Sequence, residues 1–157
     1  MDGHIVVRKA ELKDADRITC LNIWLARETE YKELDKTVVS KGVKALLKDS
    51  SKGFYIVAEK ASKPFMIVGQ LLITFEWSEW RNKYFWWVQS VYVDKEYRNQ
   101  KIFSTLFKYV IKLAASEKDV YGLRLYVEKN NECAKLIYES LGMKQAPYVV
   151  YELGLGP

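Results

Sequence analysis

The chain has 157 residues, 49% of them hydrophobic and 29% charged, with 25 Lys+Arg against 20 Asp+Glu for a formal charge of +5. That length favours one domain spanning residues 1–157, and the apolar content excludes a disordered chain. One histidine, His4, and two cysteines without metal or disulfide spacing, Cys20 and Cys133, argue against a metal site, a Ser-His-Asp arrangement and a disulfide framework.

The elements follow in chain order. Ile5 to Arg8 is a short β run. Asp14 is a candidate N-cap, and Ile18, Leu21 and Leu25 then repeat at helical spacing, with Trp24 beside them. That helix is expected to fray into the charged stretch from Arg27 to Lys36. A second helix fits Val38 to Leu47, closed by Asp49-Ser50-Ser51-Lys52-Gly53. Phe54 to Glu59 and Phe65 to Phe75 read as strands around the turn Ala61 to Pro64. Gly69 within the second marks a bulge or a close backbone approach. Glu76 to Lys83 is predicted as a loop. Its Trp77 and Trp80 either fold back on the sheet or wall a pocket. Tyr84 to Val93 is almost continuously apolar, as expected of a central strand covered on both faces.

Next comes a cationic turn, Asp94 to Lys101, and a helix with Ile102, Phe103, Leu106, Phe107, Val110, Ile111 and Ala114 on one face. Tyr121 to Glu128 is a further strand. Asn131 to Leu141 is a helix, with Gly142 at the C′ position. Met143 to Leu153 is predicted as a last strand, interrupted by Pro147. Strands and helices so interleaved predict an α/β fold, a mixed sheet with helices on both faces.

Two places could carry chemistry. Strand, cationic loop and helix in that order offer an anion the free N–H groups of Ile102, Phe103 and Ser104 at a helix start, with Arg98 and Lys101 beside them. The other is the last helix. At ~100° per residue, Asn131, Ala134, Lys135 and Tyr138 share one face, opposite the expected core face of Cys133, Leu136, Ile137 and Ser140.

Taken together, these features resemble the GCN5-related N-acetyltransferase (GNAT) family over most of the chain. Val7-Arg8-Lys9-Ala10 and Asp14 to Ile18 resemble the family's first strand and helix. Val91-Tyr92-Val93 and the approach to Arg98 resemble its fourth strand and the entry to its pyrophosphate loop. That loop usually reads Arg/Gln-x-x-Gly-x-Gly/Ala; here it reads Arg98-Asn99-Gln100-Lys101-Ile102-Phe103, with both small residues replaced. Asn131, Ala134, Tyr138 and Leu141-Gly142-Met143 match the last motif, Asn-x-x-Ala-x-x-x-Tyr-x-x-x-Gly-Phe-like.

The resemblance implies a mainly antiparallel sheet, splayed between its fourth and fifth strands to admit acetyl-CoA. It implies direct acetyl transfer from the thioester to an amine of a small molecule or peptide. Val91, Tyr92 and Val93 would hold the acetyl and pantetheine. Arg98, Asn99, Gln100, Lys101, Ile102, Phe103 and Ser104 would hold the pyrophosphate, with Asn131, Ala134 and Tyr138 completing the cosubstrate site. Tyr138 is the candidate general acid, since an unperturbed phenol is protonated at pH 7. The fourth strand lacks the carboxylate that some members use as base. Glu76 is favoured, with Glu79, Glu28 and Glu30 as alternatives. Glu76, Trp77, Trp80 and Trp86 are expected to line the acceptor pocket. The altered loop motivates an alternative, a non-catalytic acyl-CoA-binding module of the same fold. Neither a signal-like segment nor an apolar run of membrane length is present, and the cations are scattered. The expectations are a cytoplasmic protein, no metal, no membrane or nucleic-acid partner, and a possible homodimer.

Overall fold

Five segments rich in β-branched and aromatic residues pair into one sheet. A computed structural model describes residues 4–156. Its strands β1 (Ile5–Lys9), β2 (Phe54–Lys60), β3 (Met66–Ser78), β4 (Lys83–Val93) and β5 (Val120–Leu125) lie side by side in that order. The first three pairings are antiparallel and the β4–β5 pairing is parallel. A parallel neighbour needs a crossover, which α3 (Ile102–Ser116) supplies.

One face of the sheet carries α1 (Ala15–Glu30) and α2 (Lys36–Lys48). Ile18 and Leu21 of α1 and Val43 of α2 are buried with Tyr55, Val57, Ile67 and Tyr92 of the strands. On the other face Gly69 meets α3. A Cβ there would stand 3.0 Å from Ile102 Cγ2 and 3.3 Å from Leu106 Cδ1, so the glycine permits the close approach expected of it. A register shift lies beside it, where Ala58 pairs with Gly69 but Glu59 with Ile67.

Several elements differ from expectation, and β5 ends at Leu125 rather than at Glu128. Helix α1 does not fray at Arg27 but continues to Glu30, where Tyr31 closes it at φ 53°. Asp14 does not cap α1 through its side chain. Its carboxylate accepts the Glu11 N–H and a two-pronged bond from Arg8 instead. Strand β3 runs on to Ser78, because Glu76, Trp77 and Ser78 continue the ladder opposite Phe85, Tyr84 and Lys83. No strand forms between Met143 and Leu153.

The described chain divides into two compact units, Met1–Leu125 and Tyr126–Pro157. The second holds α4 (Glu132–Ser140), entered through Asn131, whose Oδ1 accepts the Ala134 N–H at 3.1 Å. Gly142 (φ 88°) ends it as predicted. Its N–H donates to Glu139 O at 2.9 Å and the Met143 N–H to Tyr138 O at 3.1 Å, which is the Schellman pairing. Leu136 and Ile137 are exposed while Ala134, Lys135 and Tyr138 are half-buried. The face predicted as core is thus the more exposed one. No helix among the described residues is long and apolar enough to cross a membrane.

Candidate functional site

Strand β4 breaks its own regularity where the chemistry is expected. Gln70 pairs with Tyr92 and Leu72 with Gln89, so one residue of β3 faces two of β4, Ser90 and Val91. The extra residue is a bulge, and Ser90 sits in the left-handed region at φ 49°. On its other side β4 pairs with β5 only as far as Val88 opposite Leu125. From Gln89 to Val93 the β5-side edge of the strand is unpaired. This is the splay between the fourth and fifth strands.

The turn leaving β4 is set by local hydrogen bonds. Asp94 accepts the Glu96 N–H at 3.2 Å and starts a 3-10 turn, Lys95–Tyr97. Asn99 and Lys101 then take φ 62° and 61°. These left-handed positions are ones where a glycine is the usual residue, and Lys101 occupies one despite its Cβ. Lys101 is also the N-cap of α3 and gives the helix no side-chain cap. The first-turn N–H groups of Ile102, Phe103 and Ser104 therefore begin a helix with a lysine, not a capping oxygen, at its mouth. Phe103 stacks on Phe107 of its own helix at 5.8 Å, as a first-turn aromatic turned inward.

Arg98 is held by a carboxylate of α1. Its Nη1 and Nη2 donate to Glu28 Oε1 and Oε2 at 2.5 and 2.9 Å, and its Nε donates to Val93 O at 3.1 Å. The guanidinium also lies 5.3 Å from the Tyr92 ring. The Tyr92 hydroxyl donates to Glu28 Oε2 at 3.0 Å. Arg98's hydrogen bonds hold the Glu28 carboxyl below the usual range, whereas burial and the Glu28 charge push the Tyr92 phenol up to about 12. Beside them Gln70, fully buried, donates to Asn22 Oδ1 at 2.9 Å. Its own Oε1 is the one buried side-chain N or O atom without a partner among the described residues.

Strand alternation separates the four expected acceptor residues. Glu76 is on the α1–α2 face of β3, where Oε2 accepts Trp87 Nε1–H at 2.5 Å and Oε1 accepts Arg124 Nη1–H at 2.7 Å. Arg124 lies 3.6 Å over the Phe85 ring. Trp77 and Trp86 point to the opposite face. Trp77 folds back edge-on to Tyr84 at 4.9 Å, and Trp86 is core, 7% exposed and edge-on to Phe54 at 5.1 Å. Trp80 is 86% exposed in the turn. These residues do not converge on one pocket. Glu76 is also opposite Phe85, five residues and about 16 Å of strand from the bulge.

In the second unit Tyr138 is half-buried on α4, and burial pushes its phenol up. Asn131 uses its Oδ1 to cap the helix, and Ala134 is half-buried on the same face. Sequence reasoning missed Arg124, Tyr92 as a partner of Glu28, and Gln70 as a buried polar group. Among the described residues no His, Cys, Asp and Glu cluster could hold a metal.

A family model described as the acetyltransferase (GNAT) family matches residues 17–143. The chain belongs to the GNAT family. A solved structure of a possible acetyltransferase from Clostridium difficile 630 is 48% identical to this GNAT chain, with 98% of this chain and 99% of that one covered at a TM-score of 0.90. At 18% identity, a ribosomal-protein-alanine N-acetyltransferase from Brucella melitensis biovar Abortus 2308 shares the fold over 98% and 100% of the two chains, at a TM-score of 0.74. A glucosamine-6-phosphate N-acetyltransferase from Arabidopsis thaliana shares it at 16% identity over 96% and 98%, at a TM-score of 0.72. No curated protein matches the GNAT chain.

Proposed function

We propose that this GNAT protein is an acetyl-CoA-dependent N-acetyltransferase of the cytoplasm, its two units acting as one domain, without a metal. The observation that carries the reading is the bulged, half-unpaired end of β4 leading into an uncapped helix start. An unpaired strand edge offers backbone groups to a pantetheine amide, and a helix N-terminus suits a pyrophosphate. The donors present fit such a molecule: the edge of Val91, Tyr92 and Val93, the loop Asn99, Gln100 and Lys101 that follows Arg98, and the first turn of Ile102, Phe103 and Ser104.

In the reaction an amine nitrogen attacks the thioester carbonyl. A C–N bond forms, the C–S bond breaks, the amine loses a proton and the departing thiolate gains one. Tyr138 is the proposed donor of that proton, with Asn131 and Ala134 shaping its helix. Glu76, held by Trp87 and Arg124, is proposed to meet the acceptor from the α1–α2 face, and any action as base runs through water at that separation. Trp77 and Trp80 would contribute only at the sheet's far end, and Trp86 would support the site as core.

Release of free CoA thiol across a panel of small amines and peptides tests the reading. Amine-dependent release is expected. Tight acetyl-CoA binding with no release for any amine would favour the non-catalytic binding module instead. We further propose a homodimer formed through the apolar C-terminal segment.

A further inference from the structure

We propose that α1 is the splint of the pyrophosphate loop and that Glu28 is its positioning residue, with Arg98 shaping the loop rather than gripping phosphate. The inference rests on reading that loop as the acetyl-CoA site, and it assigns two residues a role by what they touch.

Two side chains of α1 reach the loop's entry. Arg17 donates to Asp94 Oδ2 at 2.7 Å and, through Nε, to Ile67 O at 2.9 Å. Glu28 lies eleven residues, about three turns, further along the helix and so on the same side. It takes both prongs of Arg98 and the Tyr92 hydroxyl, and Lys95 Nζ approaches it at 3.8 Å. The segment from Asp94 to Arg98 is therefore pinned at both ends to one helix. The residues that follow, Asn99 and Lys101, are left-handed. Asn99 adopts that conformation readily, whereas Lys101 keeps it only when its surroundings impose it. The Glu28–Arg98 pair restrains them from the N-terminal side, next to Asn99, and Ile102 packed against Gly69 restrains them from the other.

Arg98 has an acceptor on each of its three nitrogens, two on Glu28 and one on its own chain at Val93. A bidentate carboxylate pair of this kind fixes the plane of the guanidinium. Moving it to a phosphate would leave the Glu28 carboxylate, 27% exposed, with the Tyr92 hydroxyl and the more distant Lys95. The geometry thus puts Arg98 in the frame of the loop. Phosphate recognition falls to the backbone N–H groups of the loop and α3 and to the Lys101 ammonium.

The test uses Glu28→Gln and Arg98→Gln in the full-length protein. Hydrogen exchange without any ligand reads the pin itself: amides from Asn99 to Ser104 should exchange at least tenfold faster in Glu28→Gln while those of β2 and β3 stay unchanged. Equal exchange in variant and wild type would overturn the proposal. Titration with acetyl-CoA and with acetyl-pantetheine, which lacks the pyrophosphate, then reads its use. Acetyl-CoA affinity should fall about tenfold, with kcat within about twofold and acetyl-pantetheine affinity unchanged. Adding Arg98→Gln to Glu28→Gln should cost little more.

Tighter acetyl-CoA binding in Glu28→Gln would show that Arg98, once released, grips phosphate, and would overturn the assignment. Equal losses for both ligands would overturn it too, by showing a general disturbance. Should Glu28→Gln fail to fold, Tyr92→Phe removes a single bond to the carboxylate and should move the same readouts two- to threefold. A wild-type protein that binds neither ligand yet shows the exchange effect would refute the acetyl-CoA reading and leave the splint in place.

Discussion

Burial moves the Tyr138 phenol up from a value near 10, so the group is protonated throughout the neutral range. A protonated phenol can supply the proton a departing thiolate needs, and phenylalanine keeps the ring while removing it. Tyr138→Phe is expected to lower kcat by about 10²-fold, with acetyl-CoA affinity changed less than about threefold. Rapid-mix kinetics with calorimetric titration separates the two, and unchanged turnover removes the assignment. Asp14 is a second residue whose environment decides its behaviour. Its burial, at 6% exposure, would raise its pKa, but the Arg8 fork and the Glu11 N–H outweigh that and lower it. A carboxyl with a depressed folded pKa contributes stability above its unfolded value, near 3.8, and loses it as pH falls through the lower folded value. Asp14→Ala should therefore cost about 3 kcal/mol at neutral pH, by leaving Arg8 with Glu59 alone, and the cost should shrink in acid. Urea melts from pH 7 to pH 2 check both statements.

At the scale of elements, the approach of α3 to β3 and the start of α3 make separate demands. Gly69→Ala would place a methyl 3.0 Å from Ile102 Cγ2, a methyl on a β-branched side chain with little χ1 freedom to swing away. It should destabilise by about 1–3 kcal/mol and push the first turn of α3 outward, weakening acetyl-CoA binding as well. Lys101→Gly should act with opposite signs. Removing the Cβ at φ 61° relieves a left-handed side chain, so the melting temperature should rise while acetyl-CoA affinity falls for want of the ammonium. A drop in both would show that Lys101 is needed for the loop's shape rather than its charge. The central strand, α3 and the Gly142 cap were legible in the sequence because each has a local signature, an apolar run, an amphipathic repeat and a C′ glycine. Glu28 and Arg98 were not, since they stand 70 residues apart and nothing local marks either as the other's partner. Glu76 was misplaced in a loop because its polar neighbours hid three further strand residues. Strand alternation then sent Trp77 to the face opposite Glu76, which a reading of neighbours in sequence does not reveal.

At the scale of the whole molecule, the second unit exposes many apolar side chains. In Tyr126–Pro157 no described residue is fully buried. Tyr148, Val149, Val150, Tyr151, Leu153 and Leu155 are all exposed, Tyr151 by 91% and Leu155 by 94%, and so is Leu136 of α4. Side chains of this size, with their neighbours, present an area of the order of the roughly 800 Å² per partner that a stable interface buries. Tyr148 to Leu153 is also rich in β-branched and aromatic residues, yet forms no strand in the single chain. Strand β5 ends the sheet and offers one edge. Each copy therefore carries both an edge at β5 and a strand-prone segment, and a reciprocal pairing of two copies would use both. Sedimentation equilibrium of the full-length protein should give a dimer. Val150→Asp, which places a charge in the segment, should give a monomer whose far-UV spectrum lacks only the strand signal that the pairing adds. A wild-type monomer at all concentrations would end the proposal, since the segment would then have to be covered within its own chain.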